Sequence, residues 1–289
     1  MVEKLSSNVH RISATDKLPL LIVSDIHFDS LHCDRDSLKA HFDEIKENNG
    51  QIIVIGDWFD VMGCYKDPRT KSADINPAYI QRGRSYLDLV VEDSYEFLKP
   101  YKENLALMTY GNHETAVLKH RDTDPLERLI FLLNQTEGTV HKGAYAGWLI
   151  CNMNRKGSTS NVTFNINYHH GKGGNAKRSK GVLYSQLDAM EYPDADLIVS
   201  GHDHNKIYDP SNVRKRMNSR TGKTYTDTVH WLKTGSYAMS PDDFGFVVQK
   251  GFMGKRMGGW FCDLEYKRVI KEGKETSYVE PKIWEATPV

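Results

Sequence analysis

The chain has 289 residues, of which 39% are hydrophobic and 26% charged, a composition typical of soluble globular proteins. Lysine plus arginine and aspartate plus glutamate balance at 38 each, so the net charge predicts neither a nucleic-acid nor a membrane partner. The first 17 residues lack the apolar core of a secretory signal, and no apolar run reaches the roughly 20 residues that span a bilayer.

The cysteines predict a reducing compartment. They lie far apart and form no C-x-x-C pair, which disfavours a disulfide framework or a zinc knuckle. The four positions are Cys33, Cys64, Cys151 and Cys262. Together with the missing signal, this pattern leads us to expect a cytoplasmic protein without a membrane partner.

Short apolar runs recur along the chain, and most end abruptly in polar residues. The runs at 20–23, 52–55, 105–108 and 197–199 are continuous, which predicts strands buried on both faces. The segment 162–168 alternates instead, as a strand with one face toward a core should. Two further strands are expected at 229–233 and 261–266.

Helical spacing of apolar residues fills the intervals between these runs. Helices are predicted over 36–48, 78–98, 125–133 and 181–192. Asp124 and Pro125 supply an N-cap and a first-turn proline for the third of them. Alternating strands and helices predict a layered α/β architecture. We find no internal repeat and no biased linker, so residues 1–289 are expected to form a single domain, in which 61–100 could supply a small helical cap.

Ligands in α/β folds sit beyond the carboxyl ends of the strands, where the polar residues that end these runs would converge. Those residues are Asp25, His27, Asp57, Asn112, His113, His202 and His204. Carboxylate oxygen, amide oxygen and imidazole nitrogen form a mixed donor set that suits Mn²⁺, Fe, Zn²⁺, Ni²⁺ or Co²⁺. The sequence therefore predicts a metal site at the strand ends.

Five motifs carry these residues in a fixed order: D-x-H, G-D, G-N-H-E, H-G and G-H-x-H. They stand at Asp25–His27, Gly56–Asp57, Gly111–Glu114, His170–Gly171 and Gly201–His204. In this order they resemble the calcineurin-like metallophosphoesterase superfamily over roughly the first two thirds of the chain. The resemblance implies a four-layer α-β-β-α sandwich, with two mixed β-sheets flanked by helices and the metals at the strand ends.

The resemblance also implies a ligand set for two divalent ions, with Mn²⁺ expected first. The first ion would take Asp25, His27, Asp57 and His204, and the second Asp57, Asn112, His170 and His202. With Asp57 bridging, two such ions share a water or hydroxide, lower its pKa and neutralise the charge of a phosphate.

Several roles near this site have alternatives. The resemblance makes His113 a substrate-facing general acid or oxyanion stabiliser. His169 and His170 compete for one ligand position, because adjacent strand residues face opposite sides. The resemblance implies a ligand directly before the glycine, which favours His170. The side chains of Asp60, Glu114 and Asp203 could orient ligand imidazoles, or serve only as solvated or capping groups.

Three basic segments bear on the identity of the substrate. The segment 172–180 holds Lys172, Lys177, Arg178 and Lys180 and no acid, and 206–223 and 66–71 are also basic. If they ring the metals, they would attract a polyanion such as DNA or RNA; otherwise they are solvated loop charges. The side chains of Trp58, Phe59 and Tyr65 could stack on bases or pack in the core.

The motif variants favour one branch of the family. Residues 56–62 lack the arginine of the phosphoprotein-phosphatase motif G-D-x-x-D-R-G, and D-x-H with G-H-x-H favours the phosphodiesterase and nuclease branch. The expected function is dinuclear metal-dependent hydrolysis of phosphodiester bonds in a nucleic acid or nucleotide. The alternatives are a phosphomonoesterase acting on a small metabolite or phosphoprotein, and a non-catalytic scaffold of the same fold, although such scaffolds lose ligands that this chain keeps.

Overall fold

The apolar runs of the sequence form the central strands of two β-sheets, which stack face to face and carry helices on their outer surfaces. The computed structural model describes residues 2–61, 76–135, 140–171, 183–238, 256–271 and 274–289. The predicted α-β-β-α sandwich with two mixed sheets is confirmed.

Within the described residues, the first sheet has six strands and contains three of the predicted buried runs. Its order is β13 (Lys274–Glu285), β12 (Trp260–Lys271), β3 (Lys17–Val23), β4 (Gln51–Val54), β5 (Leu105–Met108) and β6 (His141–Lys142). The strands β3 to β6 run parallel, and β12 joins β3 antiparallel. Parallel pairing places the carboxyl ends of β3, β4 and β5 at one edge.

The second sheet has seven strands in the part of the chain that the structure describes. Its order is β1 (Val2–Lys4), β2 (Val9–Thr15), β7 (Ala146–Asn154), β8 (Asn161–His169), β9 (Leu197–Ser200), β11 (Thr224–Lys233) and β10 (Ile207–Met217). The strands β8, β9 and β11 are parallel neighbours, whereas β7–β8 and β10–β11 are antiparallel pairs.

Helices cover both outer faces. The bounds are α1 (Arg35–Glu47), α2 (Tyr86–Leu98), α3 (Asn112–Arg121), α4 (Pro125–Leu133) and α5 (Leu183–Glu191). As predicted, Pro125 opens α4, and the side chain of Asp124 accepts a hydrogen bond from the backbone N–H of Glu127. None of the described helices has the length and apolar character needed to cross a membrane.

The continuous apolar runs are explained by burial on both faces of each strand. In β3, Leu20 and Ile22 point into the core between the sheets, whereas Leu21 and Val23 point into the core beneath the helices. A smaller third core lies between α5 and the outer face of the seven-stranded sheet, around Trp231.

The helix predicted over 78–98 is too long at its N-terminal end. Residues Pro77–Tyr79 form a short 3-10 turn, and the α-helix begins only at Tyr86. Gly83 lies between them with φ of 79°, a left-handed conformation that interrupts a right-handed helix. Residues 62–75 lie outside the described residues, so the cap at 61–100 stays a prediction.

A buried histidine makes the stability of this fold depend on pH. His10 of β2 is fully buried 5.7 Å from the ring of His141, and its ring nitrogens form no hydrogen bond to any described residue. Burial, reinforced by His141, lowers the pKa of His10 to about 4. The folded state therefore favours the neutral ring.

We predict that His10→Phe flattens the loss of stability on acidification. The unfolded ring titrates near pH 6.5 and the folded ring near 4, so the neutral ring's stabilising contribution is intact above pH 6.5 and lost as the pH falls to 4. The full effect is about 3 kcal/mol. Denaturant unfolding at several pH values measures it. His120→Phe, at an exposed histidine, is the control, and equal pH slopes for both variants would contradict the prediction.

Candidate metal centre

The polar residues that follow five parallel strand ends converge at one edge of the sandwich. The six-stranded sheet contributes the loops after β3, β4 and β5, and the seven-stranded sheet those after β8 and β9. These loops bring together every predicted metal ligand: Asp25, His27, Asp57, Asn112, His170, His202 and His204. The site therefore exists only where the two sheets meet.

The first group, which we call the Asp25 cluster, contains Asp25, His27 and His204. The Nε2 atom of His204 lies 3.3 Å from Oδ1 of Asp25 and 3.4 Å from Nε2 of His27. The ligand atoms of all three residues lie within 4.8 Å of one another, close enough to hold one metal ion.

The second group, the His170 cluster, contains Asp57, Asn112, His170 and His202. The Nε2 atom of His170 lies 3.1 Å from Oδ2 of Asp57 and 3.2 Å from Oδ1 of Asn112. The Nδ1 atom of His202 lies 2.7 Å from the same amide oxygen. The opposite ring nitrogen of His170, Nδ1, lies 2.8 Å from the backbone carbonyl of Ile55, so it donates there and leaves Nε2 free as a ligand.

Asp57 stands between the two clusters. Its carboxylate also forms a group within 4.8 Å with His27 and His113, so it reaches ligand atoms on both sides. This is the position that a bridging carboxylate needs.

Left-handed backbone conformations aim these side chains. Five ligand residues have a positive φ: Asp25 (52°), His27 (50°), Asp57 (50°), His202 (74°) and His204 (55°). Such conformations cost L-residues about 1 kcal/mol or more each and cluster at functional sites, where the surrounding structure holds them. Part of that support comes from backbone hydrogen bonds across the loops, such as the one from Ile26 N–H to the Asp57 carbonyl at 2.8 Å.

The charges of the site fit divalent cations. Burial acts to raise the pKa of Asp25, but His204 and His170 outweigh it and lower that pKa to about 2. The pKa of Asp57 is also lowered, since His170 and His113 oppose the effect of burial. Two ionised, buried carboxylates among imidazoles and an amide oxygen form the donor set expected of Mn²⁺, Fe or Zn²⁺.

A family model described as calcineurin-like phosphoesterase matches residues 18–206, about two thirds of the chain and the span that holds every ligand. The chain belongs to the calcineurin-like phosphoesterase family. This family binds divalent metals, which agrees with the candidate ligand groups. No curated protein matches.

Three solved structures illustrate how far the chain resembles known folds. The chain is 13% identical to GAP50, the anchor in the inner membrane complex of Plasmodium, covering 92% of this chain and 89% of that one, with a TM-score of 0.42. It is 12% identical to vacuolar protein sorting 29 from Cryptosporidium parvum, covering 92% of this chain and 98% of that one, with a TM-score of 0.37. It is 12% identical to a metallophosphoesterase from Sphaerobacter thermophilus, covering 91% of this chain and 88% of that one, with a TM-score of 0.34.

Glu114 shapes the ligand loops of this phosphoesterase rather than orienting an imidazole. Its fully buried carboxylate accepts hydrogen bonds from the backbone N–H groups of Gly111 (2.8 Å), Phe59 (3.0 Å) and Asp57 (3.1 Å). Burial, together with the nearby Asp57 charge, raises the pKa of Glu114 to about 7. Glu114, the fourth residue of G-N-H-E, thus links the loop after β4 to the loop after β5 through hydrogen bonds.

Asp60 contacts two imidazoles, as one reading of the sequence expected. Its carboxylate lies 3.1 Å from Nδ1 of His27, and its backbone carbonyl accepts from Nδ1 of His113 at 2.6 Å. Burial lowers the pKa of His27, but the bond to Asp60 outweighs it and the pKa rises to about 9. Asp203 forms an ion pair with Lys233.

Asp29 supports the site and was missed in the sequence. Its buried carboxylate accepts hydrogen bonds from the backbone N–H groups of Asp60 (2.6 Å) and Val61 (2.8 Å), and from the hydroxyl of Tyr86. The pattern D-x-H-x-D, with three polar residues alternating from Asp25, was the available signal. Asp29 holds in place the residue that contacts His27 and His113.

Several residues expected near the substrate lie elsewhere. Trp58 and Phe59 are fully buried, and the ring of Trp58 stacks on that of Phe28 with 5.1 Å between the centroids. Of the two alternatives for these residues, core packing is therefore right and base stacking is wrong. The side chain of Lys206 is buried and donates to the carbonyls of Met257 and Ala286. Arg214 binds Asp227. The four residues expected to bind substrate, Lys172, Lys177, Arg178 and Lys180, lie outside the described residues, as do Tyr65 and 66–71.

We predict that Asp57→Asn weakens metal binding by at least about 10²-fold, because the variant removes the charge shared by both clusters. Calorimetric titration of chelator-stripped protein with Mn²⁺ gives the stoichiometry and affinity. Asp122→Asn is a matched control, since Asp122 is exposed and has a similar φ of 52°. Two tightly bound ions in Asp57→Asn would show that Asp57 is not a ligand.

Proposed function

We propose that this protein is a dinuclear metal-dependent phosphodiesterase that acts on a nucleic acid or a nucleotide. The observation that carries the proposal is the pair of ligand clusters sharing Asp57, with His113 beside them. Two divalent cations held there, with Mn²⁺ as first choice, would supply a water of lowered pKa and neutralise the phosphate charge. The complete ligand set argues against a non-catalytic scaffold.

We propose that His113 acts on the substrate. Its Nδ1–H donates to the Asp60 carbonyl, which fixes the ring and leaves Nε2, 4.0 Å from Oδ2 of Asp57, facing the metal clusters. Burial lowers the pKa of His113, although Asp57 opposes this effect. The negative charge of a bound phosphodiester acts to raise that pKa and so offsets the opposite effect of the cations beside the ring. The protonated ring then donates to a phosphate oxygen or to the leaving group.

The preference for diesters rests on two sequence features. The D-x-H and G-H-x-H motifs supply the ligands His27, His202 and His204, and no arginine follows Asp60.

We also propose that the protein is cytoplasmic. The described cysteines, Cys33, Cys151 and Cys262, are free thiols, which is what a reducing compartment favours.

We predict that metal-stripped protein resupplied with Mn²⁺ hydrolyses bis(p-nitrophenyl) phosphate faster than p-nitrophenyl phosphate. His113→Ala should lower kcat on the diester by about 10²- to 10⁴-fold, because it removes the proton donor, while Mn²⁺ binding persists. The matched control is His120→Ala, at an exposed position of the same helix.

Three results would count against the proposal. A faster monoester reaction would favour the phosphomonoesterase alternative. A metal-loaded protein inert toward both compounds would favour a scaffold. Cleavage of labelled single- or double-stranded DNA and RNA, compared with the small diester, tests whether a polynucleotide is the substrate.

We further propose that the segment 172–180 attracts a polyanionic substrate, because it directly follows the ligand loop at His170 and Gly171. The basic segment 206–223 holds its exposed charges far from the metals. The strand β10 extends about 30 Å from Ile207, so the exposed Lys215, Arg220 and Lys223 lie far from the metals.

Neutralising Lys177, Arg178 and Lys180 to glutamine should weaken single-stranded DNA binding and flatten its salt dependence. Each lost phosphate contact lowers the magnitude of the slope of log K against log salt by about 0.7 for a single strand. The loss of three contacts therefore lowers that magnitude by up to about 2. Equilibrium binding at 50–200 mM salt measures the slope. The control replaces Lys215, Arg220 and Lys223 by glutamine. Equal slopes for wild type and the first variant would point to a small substrate.

A further inference from the structure

The peptide unit between Asp60 and Val61 forms a hydrogen bond on each of its two sides. Its carbonyl, which belongs to Asp60, accepts from Nδ1 of His113 at 2.6 Å. Its N–H, which belongs to Val61, donates to Oδ2 of Asp29 at 2.8 Å. Because a peptide unit is planar, the direction of its N–H fixes the direction of its carbonyl. The carboxylate of Asp29 therefore determines where the hydrogen-bond partner of His113 points.

The backbone of Val61 shows that this peptide unit has to be held. Val61 is β-branched, yet its φ of 49° lies in the left-handed region, where such residues are outliers. Conformations of this kind persist where the surrounding structure holds them, and they cluster at functional sites. Asp29 holds this one with two bonds, since its Oδ1 also accepts from the backbone N–H of Asp60 at 2.6 Å. Without Asp29, we expect the peptide unit to rotate and its carbonyl to turn away from His113.

Asp29 is itself part of a rigid framework. It is 2% exposed, and the hydroxyl of Tyr86 on α2 donates to its Oδ2. The ring of Tyr86 packs edge-on against Tyr79 with 5.8 Å between the centroids, and the hydroxyl of Tyr79 donates to Asp93 of α2 at 2.6 Å. Arg35 of α1 pairs with the same carboxylate at 2.8 Å. The position of Asp29 is thus tied to two helices.

The side chain of Asp60 is the other candidate partner for the ring of His113. Its Oδ1 lies 3.7 Å from Nδ1 of His113, too far for a hydrogen bond, and 3.1 Å from Nδ1 of His27. The backbone carbonyl of Asp60 is therefore the acceptor that orients His113, and Asp29 is the group that orients this carbonyl.

We infer that Asp29 is a positioning residue for His113 and acts through the 60–61 peptide unit. The inference rests on the proposed function, in which His113 acts on the substrate. The bond to the carbonyl keeps a proton on Nδ1 and keeps Nε2 directed at the metal clusters. Loss of Asp29 should therefore slow the chemical step through His113, so its effect should disappear when His113 is absent.

A double-mutant cycle on bis(p-nitrophenyl) phosphate at saturating Mn²⁺ tests this role. Asp29→Asn offers one acceptor oxygen to the three donors that bond Asp29, so it should lower kcat by at least about 10-fold while KM stays within about twofold. In the His113→Ala background the same change should have no further effect, since residues that act as a unit are not additive.

The matched control for the cycle is Asp196→Asn. The carboxylate of Asp196 also accepts a hydrogen bond from a backbone N–H, that of Asn165 at 2.8 Å. Asp196 directly precedes β9, at the end of the strand opposite to the ligand loop, so this variant should leave kcat unchanged.

The tautomer of His113 gives a readout that needs neither activity nor metal. At about pH 8, where a free imidazole is neutral, NMR of the ¹⁵N-labelled, metal-free wild type should show the proton of His113 on Nδ1. Asp29→Asn should distribute it over both ring nitrogens, and His113→Ala identifies the signals. Tyr86→Phe removes one of the three bonds to Asp29 and should give an intermediate population, so the test does not depend on whether Asp29→Asn folds.

A loss of kcat in Asp29→Asn that persists in the His113→Ala background would overturn the inference, as would a wild-type His113 that carries its proton on Nε2. An inert wild-type protein whose His113 tautomer depends on Asp29 would refute the phosphodiesterase proposal alone. An active protein whose tautomer and kcat are independent of Asp29 would refute the positioning role alone.

Discussion

The ionised carboxylate of Asp57, buried between two groups of imidazoles, is the interaction on which the candidate metal centre depends. It reaches His170 on one side and the group of His27 and His113 on the other. A buried anion is stable only when positive charge and hydrogen bonds compensate its lost hydration. The backbone N–H of His113 donates to it at 2.9 Å, and Glu114 holds its loop in place. Divalent cations would complete this compensation.

This constraint explains why the site needs both sheets. The six-stranded sheet delivers the carboxylates, while three imidazoles come from the loops after β8 and β9 of the seven-stranded sheet. The core between the sheets, around Leu20, Ile22 and Phe164, therefore also sets the spacing of the ligands. Gly111 permits the closest approach, since a Cβ there would lie 2.1 Å from Oδ1 of Asp57.

The sequence by itself determined the strands and helices with strong periodicity and the polar residues at the strand ends, because apolar runs and short motifs are local properties. The resemblance carried by those motifs added the four-layer fold and the candidate ligand set. Only the tertiary structure decided that Trp58 packs in the core, that Lys206 is buried, that Glu114 binds backbone N–H groups and that Asp29 supports Asp60. It also decided that α5 packs on the outer face of the seven-stranded sheet around Trp231. Each of these depends on which distant segments pack together, and a side chain's neighbours across the fold, rather than along the chain, determine its burial and its partners.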